Sequence, residues 1–434
     1  MNNQWESDQN RLNRILGLYG FAWRLALPWL KKTRRLRRGF DQRTNVHHLT
    51  RSDIWIQAAS AGEAYLASAL IRTMMPDHEL TVLVTTTTPQ GMDILKKTLS
   101  PMEISPHISV VFSFFPFDSP DLMDAAVSRI CPGVMVLLET ELWPGLLASL
   151  NKRQIPIIMI NARLSEKSLA RYQKAPWLCR TLAPHIILAI SPEDARRFRK
   201  IFPQTTIDTM PNIKFDTVMP QEMETNPGNC LLPQNPFPKG TPVTLLASIR
   251  REEEEETADI LGQILFQHPN QVVAIFPRHM HRIDFWQKTL TALGLSWKLR
   301  SAITKPVLPG TTILWDTFGE LKAACFHATA AFVGGSLKPL GGQNFLEPVI
   351  CGAAAVTGPY LDNFNWVGQE LFSTGVVNRA RNSREVVSHL CRHLNTPPRR
   401  QKITSKGINY IRRYQGGTQM AVNTILNTLQ SGKK

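Results

Sequence analysis

The stretch Val333-Gly334-Gly335-Ser336-Leu337-Lys338-Pro339-Leu340-Gly341-Gly342-Gln343-Asn344-Phe345-Leu346-Glu347-Pro348 decides how the rest of the chain is read. An apolar run, 328–332, that reads as a buried strand leads into it, and a segment that reads as a helix follows. The pairs Gly334-Gly335 and Gly341-Gly342 let the backbone turn tightly and approach a ligand with no side chain in the way. Asn344 can cap the helix, with Glu347 three residues on as the capping partner. A glycine loop feeding a helix N-terminus is an anion site, because free N–H groups and the helix dipole point the same way. The plain alternative is a strand-to-helix loop in which Glu347 does no more than cap.

The same strand-then-helix rhythm extends in both directions. Apolar runs at 54–59, 80–85, 108–114, 134–138, 156–160 and 186–190 alternate with helical periodicity at 63–75, 90–99, 120–130, 142–152 and 165–182. Five prolines and two glycines break the rhythm between 217 and 241. It resumes with strands at 243–247, 272–276, 312–314, 330–333, 354–357 and 376–377, and helices at 252–267, 281–293 and 317–326. Strict alternation predicts βαβ units and mainly parallel sheets. The expected organisation is therefore a basic N-terminal helix (1–40), a Rossmann-like domain (41–216), a linker (217–241), a second Rossmann-like domain (242–403) and a terminal helix (404–434). Ligands of such sheets bind outside the carboxyl ends of the strands, here in an expected cleft between the domains.

Length and composition agree with two globular domains: 434 residues, 43% hydrophobic and 19% charged. The net charge of +16 is concentrated, for nine Lys/Arg and no acid lie between Arg11 and Phe40. The six cysteines are scattered without metal-ligand spacing, so no zinc site, disulfide framework or other cofactor is expected, and most should be small buried hydrophobes. Residues 15–30 are apolar and aromatic but interrupted by Arg24 and Pro28, which disfavours a spanning helix. The basic cluster follows the apolar stretch, the reverse of a secretory signal. This order fits an anchor lying on the cytoplasmic face of a membrane, aromatics at headgroup level and cations toward anionic lipid. An amphipathic helix packed on the protein is the alternative.

Several strand ends carry chemistry-bearing residues. Glu63 follows Ser60-Ala61-Gly62 and could act as a general base or simply complement a helix dipole. Glu139 and Glu141 close the fourth strand, one suited to a cap and one to the cleft; Lys214 could neutralise a phosphate or a sugar carboxylate or sit as an exposed linker lysine. In the second half, Arg278 suits a phosphate, since its planar fork binds two oxygens, or a surface acid. Thr317 is a candidate cap with Glu320 behind it, and Glu252 to Glu256 reads as a solvated acidic helix start. Glu347 would meet the ribose hydroxyls. No Walker loop, GxGxxG or Ser-His-Asp order appears, which argues against P-loop NTPases, standard dehydrogenases and α/β-hydrolases.

In order along the chain, Ala59-Ser60-Ala61-Gly62-Glu63, Glu139-Thr140-Glu141-Leu142-Trp143-Pro144, Asn161-Ala162-Arg163-Leu164-Ser165, Asn212-Ile213-Lys214-Phe215-Asp216, Pro277-Arg278-His279, Asp316-Thr317-Phe318-Gly319-Glu320-Leu321 and the Gly-Gly-Ser loop resemble the motifs of the 3-deoxy-D-manno-octulosonic acid (Kdo) transferases of lipopolysaccharide synthesis. The resemblance implies a GT-B glycosyltransferase at the inner membrane that moves Kdo from CMP-Kdo to a lipid A precursor (lipid IVA) with inversion. It implies Glu63 as general base, with Glu139 and Lys214 stabilising the transition state. It also implies CMP contacts at Pro277, Arg278, Phe318, Gly319, Glu320, Asn344, Phe345, Leu346 and Glu347, and no bound metal. Gln343 stands where the family usually has His, Phe345 where Pro is usual, Ser248-Ile249-Arg250 in place of Ser-Thr-His, and Met280 in place of Pro. The rival readings are a GT-B enzyme using a UDP-sugar on a lipid-linked acceptor, and a non-catalytic basic membrane-binding protein. Nucleic acid is not an expected partner, because no basic patch interleaved with aromatics lies outside the anchor.

Overall fold

The computed structural model describes residues 2–33, 36–99, 104–218, 232 and 234–432, with side chains from residue 8 onward apart from 9. Most of the expected linker, and Arg34, Arg35 and Cys230, lie outside the described residues. The chain divides into two units, residues 1–217 with 414–434 and residues 218–413.

The first unit is built on a sheet of β1 (Ile54–Ala58), β2 (Leu80–Thr86), β3 (Ile108–Phe114), β4 (Val134–Leu138), β5 (Ile157–Ala162), β6 (Ile186–Ala189) and β7 (Thr206–Thr209). The strand order is β3-β2-β1-β4-β5-β6-β7, and each pairing is parallel. The central strands β1, β4 and β5 are buried along their whole length, as runs covered on both faces must be. The order reverses between β1 and β4. That is the switch point where open α/β sheets hold their ligands.

The second unit repeats the plan with β8 (Val243–Ile249), β9 (Val272–Pro277), β10 (Trp297–Leu299), β11 (Thr312–Leu314), β12 (Ala330–Val333), β13 (Ala354–Thr357) and β14 (Val377–Arg379). Its order is β10-β11-β9-β8-β12-β13-β14, again parallel, with the switch point between β8 and β12.

Two expected helices are corrected. The stretch 165–182 is two helices, Glu166–Tyr172 and Pro176–Thr181, because Pro176 holds Ala175 out of the helical region. The terminal stretch is also two helices, Arg400–Arg413 and Gly417–Ser431, parted at Gly416, whose φ is 101°. The second of these returns to the first unit, where Ala421, Val422, Ile425 and Leu429 join the core around β1 and β4. Asp216 anchors that return by accepting the Thr418 N–H (2.7 Å) and hydroxyl (2.6 Å). The strands β7 and β10 and the helices Pro192–Ile201 and Ser383–Asn395 were not foreseen.

The long first helix, Asn2–Leu30, has two apolar faces. Leu12 is buried in the core, Trp23 lies 5.4 Å from Phe117, and the Tyr19 hydroxyl donates to Asp118 at 3.1 Å. Ile15, Leu18, Phe21, Leu25 and Trp29, spaced three and four apart, are exposed. Tyr19 and Trp23, expected at headgroup level, thus face the protein instead. No helix among the described residues is long and apolar enough to cross a membrane.

Candidate active site

In the first unit the chemistry gathers where β1 and β4 end, on the two sides of the switch point. Ser60 caps the helix Ala61–Thr73 by accepting the Glu63 N–H at 3.2 Å. The Glu63 carboxylate folds back to accept the Ala59 N–H (2.6 Å) and the Ser60 hydroxyl (2.9 Å). Glu63 therefore serves the helix N-terminus from a position at the strand end. Burial raises its pKa, the Ser60 and Ala59 hydrogen bonds oppose the rise, and the charge of Glu139 adds to it.

Glu139, immediately after β4, has a left-handed φ of 55°. A non-glycine residue there is strained, and such strain collects at functional sites. Its carboxylate accepts Lys214 Nζ at 2.9 Å and pairs with Arg163 at 3.0 Å. Lys214 is placed by two asparagines: Asn161 accepts the Ile213 N–H and Asn212 accepts the Lys214 N–H, each at 3.0 Å. Asn161 is itself left-handed, at φ 56°. Lys214 is thus an ordered ion-pair partner rather than a free linker lysine. Glu141, left open by sequence reasoning, has its pKa pushed up to about 7, by burial first and then by the charge of Glu63. Three carboxylates and one lysine converge at this strand end.

In the second unit β8 and β12 end beside one another. The glycine loop adopts left-handed turns at Gly335, Gly341 and Gly342 (φ 65°, 86° and 77°), as its composition requires. Its amides, however, do not form an open anion cradle. The carboxylate of Glu253, fully buried, accepts the N–H groups of Ser336 (3.2 Å), Leu337 (3.3 Å), Arg250 (3.2 Å) and Gly335. A Cβ on Gly334 would stand 2.3 Å from that carboxylate, so Gly334 is the position that admits it. The acidic run 252–256 is consequently not a solvated face: Glu253 and Glu254 are both buried, the latter held by Arg282.

The other expected donor residues divide by orientation. Arg278 is exposed past the end of β9, with Pro277 buried before it. Phe318 is 81% exposed beside Gly319, a flat apolar surface free to stack on a base. Glu320 turns inward, accepting from Arg300 (3.0 and 3.1 Å), Trp315 Nε1 (2.9 Å) and Thr317 (2.7 Å). Thr317 therefore caps no helix, and the Glu320 carboxylate is engaged by three side chains. Phe345 and Leu346 are fully buried, Phe345 against Phe364 and Phe372. Asn344 accepts the Leu346 N–H at 3.1 Å. The expected capping box with Glu347 does not form; that carboxylate accepts no hydrogen bond from a described residue, and burial raises its pKa. Of the cysteines, 179, 325, 351 and 391 are buried and 131 is exposed.

Sequence reasoning missed Glu253, because its signal is spatial: only the fold brings it under a loop more than eighty residues away.

A family model for 3-deoxy-D-manno-octulosonic-acid transferase (kdotransferase) matches residues 32–217. A 3-deoxy-D-manno-octulosonic acid transferase of Bordetella pertussis is 28% identical over 381 residues, covering 86% of this chain and 86% of the relative. The probable 3-deoxy-D-manno-octulosonic acid transferase, mitochondrial, of Arabidopsis thaliana is 31% identical over 333 residues, 72% of this chain and 70% of that protein. Among solved structures, a UDP-GlcNAc 2-epimerase from Neisseria meningitidis superposes with a TM-score of 0.55 at 12% identity, over 87% of this chain and 99% of its own, which shows the two-sheet fold alone. The chain belongs to the 3-deoxy-D-manno-octulosonic acid transferase family of glycosyltransferases.

Proposed function

We propose that this chain is the Kdo transferase that moves Kdo from CMP-Kdo to a lipid A precursor, with inversion at the anomeric carbon. The observation that carries the reading is the Glu63, Glu139 and Lys214 constellation at the β1/β4 switch point, on the motifs that define the family resemblance. An acceptor hydroxyl oxygen attacks the anomeric carbon of Kdo while the bond from that carbon to the CMP phosphate breaks. Glu63 takes the hydroxyl proton, a role for which a raised pKa suits a carboxylate near neutral pH. Glu139 and Lys214 stabilise charge in the transition state. CMP departs with the electron pair, held by the strand ends of the second unit: Arg278 at the phosphate, Phe318 at the base and the Glu347 carboxylate at the ribose hydroxyls.

The exposed row Ile15, Leu18, Phe21, Leu25 and Trp29, followed by Lys31 and Lys32, supports peripheral seating on the cytoplasmic face of an anionic inner membrane. The test is incubation with CMP-Kdo and a tetra-acylated lipid A precursor, read by mass spectrometry. Added Kdo mass is expected with the natural chain and none with Glu63→Ala, which still binds CMP. No added mass from a preparation that binds CMP overturns the reading, and stabilisation by UDP but not CMP points to a UDP-sugar enzyme instead.

A further inference from the structure

We infer that Arg250 is a second phosphate-binding guanidinium of the second unit, acting side by side with Arg278 on the anionic group of a nucleotide. The identity of that nucleotide as CMP rests on the proposed function; the phosphate contact does not.

The register places the two arginines together. In the parallel pair β8/β9, Ile249 lies opposite Pro277, so Arg250 and Arg278 follow at the same level on adjacent strands. The Arg278 N–H donates to the Ile249 carbonyl at 2.8 Å, which ties the two strand ends together. Strand spacing then separates the two backbones by about 4.8 Å, close enough for both forks to reach one phosphate.

The two guanidinium groups are less fully neutralised than the cations around them. Arg282 is bound by Glu254, Arg300 by Glu320 and Lys338 by Glu256. Arg278 has no ion pair with a described residue, and Arg250 has only Glu252, at 3.9 Å and half exposed. Two adjacent cations without a shared anion repel each other. The effect reaches His279, whose pKa is lowered by burial first and then by Arg250 and Arg278.

The glycine loop supplies the rest of the argument. Its amides at 335–337 are occupied by Glu253, so they are not free for a phosphate. The charge falls instead to side chains lying along the loop. A Cβ built on Gly335 would stand 3.6 Å from Arg250 Cγ and 3.1 Å from Gln343 Cγ, so these two side chains flank the same glycine.

The test uses the full chain with CMP and cytidine as probes, measured by calorimetry. Arg250→Ala should weaken CMP about 10- to 100-fold and leave cytidine unchanged, since a hydrogen bond to a charged group is lost. Arg250→Lys should recover part of the loss, as a point charge replaces a fork. The Arg250 side chain is not what satisfies Glu253, which takes its backbone N–H, so the loop survives either change. Unchanged CMP binding overturns the inference, and so does an equal loss for CMP and cytidine. Should the natural chain prefer another nucleotide, the Kdo reading fails. The same comparison is then made with that nucleotide and its nucleoside: a loss confined to the phosphorylated form supports Arg250, and no loss overturns it.

Discussion

Lys214 Nζ donates to Glu139 Oε1 at 2.9 Å across 75 residues of sequence, and Arg163 holds the other oxygen of the same carboxylate at 3.0 Å. Glu139 therefore stays paired when Lys214 is removed, and the effect should fall on chemistry rather than on folding. Lys214→Ala should lower the transfer rate by roughly 10²- to 10³-fold, the scale of losing one electrostatic contact in a transition state. CMP affinity and the melting temperature should change little. Turnover and nucleotide binding, measured separately, check this.

The pH profile should report two carboxyl groups. A general base works ionised, and burial raises Glu63 above its ordinary value, so activity should climb with pH through an inflection above 4.5. The charge of Glu139 contributes to that rise. Glu139→Gln should therefore move the acidic limb to lower pH while slowing the reaction. Glu141, at about 7, is the source expected for an inflection near neutrality, and Glu141→Gln should remove that inflection. Rates measured from pH 4 to 8 on the three proteins separate these outcomes.

Gly334 and Glu253 should behave as one structural unit. Gly334→Ala would place a Cβ 2.3 Å from the Glu253 carboxylate and 2.9 Å from the Ser248 carbonyl, with no flexible side-chain end to yield on the backbone side. Glu253→Gln replaces one accepting oxygen with an N–H₂ that faces amide donors, at a cost of about 2–4 kcal/mol. Gly262→Ala is the control: its helical Cβ meets nothing within 4 Å, and it should stabilise by up to about 1 kcal/mol. Thermal unfolding of the three variants decides.

Glu320 should be a stability residue before it is a ligand residue. Its removal leaves Arg300, 5% exposed, without its carboxylate, and also strips Trp315 Nε1 and the Thr317 hydroxyl of their acceptor. Glu320→Ala should cost about 3–5 kcal/mol, as breaking a buried pair does. Urea unfolding of the full chain measures it.

Asp118 links the N-terminal helix to the first unit. It accepts the Gly145 (3.0 Å) and Leu146 (2.8 Å) N–H groups as well as the Tyr19 hydroxyl, and burial pushes its pKa up to about 6. A folded-state value above the unfolded 3.8 means the folded chain holds the proton more tightly. The stability from this group is present below about pH 4 and lost as pH rises to about 6. Asp118→Asn should flatten that slope, and Tyr19→Phe should cost about 1 kcal/mol at pH 7. Denaturation midpoints from pH 4 to 7 provide the measurement.

Much of the architecture was readable from local pattern. Fully buried strands such as β1 and β4 show as unbroken apolar runs, and glycines at 335, 341 and 342 announce left-handed turns, because both signals depend only on near neighbours in sequence. The strand-end positions of Glu63, Glu139 and Arg278 followed from the same alternation. Helix breaks were misread where a single residue, Pro176 or Gly416, overrides an otherwise continuous period.

By itself, then, the sequence determined two parallel α/β sheets, their glycine turns and the strand ends that carry charge. The tertiary structure alone decided which of those charges remain free. Glu253, Glu254 and Glu320 look in sequence like exposed acids, yet each is consumed by a partner between 20 and 84 residues away. Arg250 looks ordinary, yet the fold sets it at the level of Arg278 with only a long pair to Glu252, at 3.9 Å, to offset its charge. Burial of a charge depends on what the fold brings against it from distant strands, and no local periodicity encodes that.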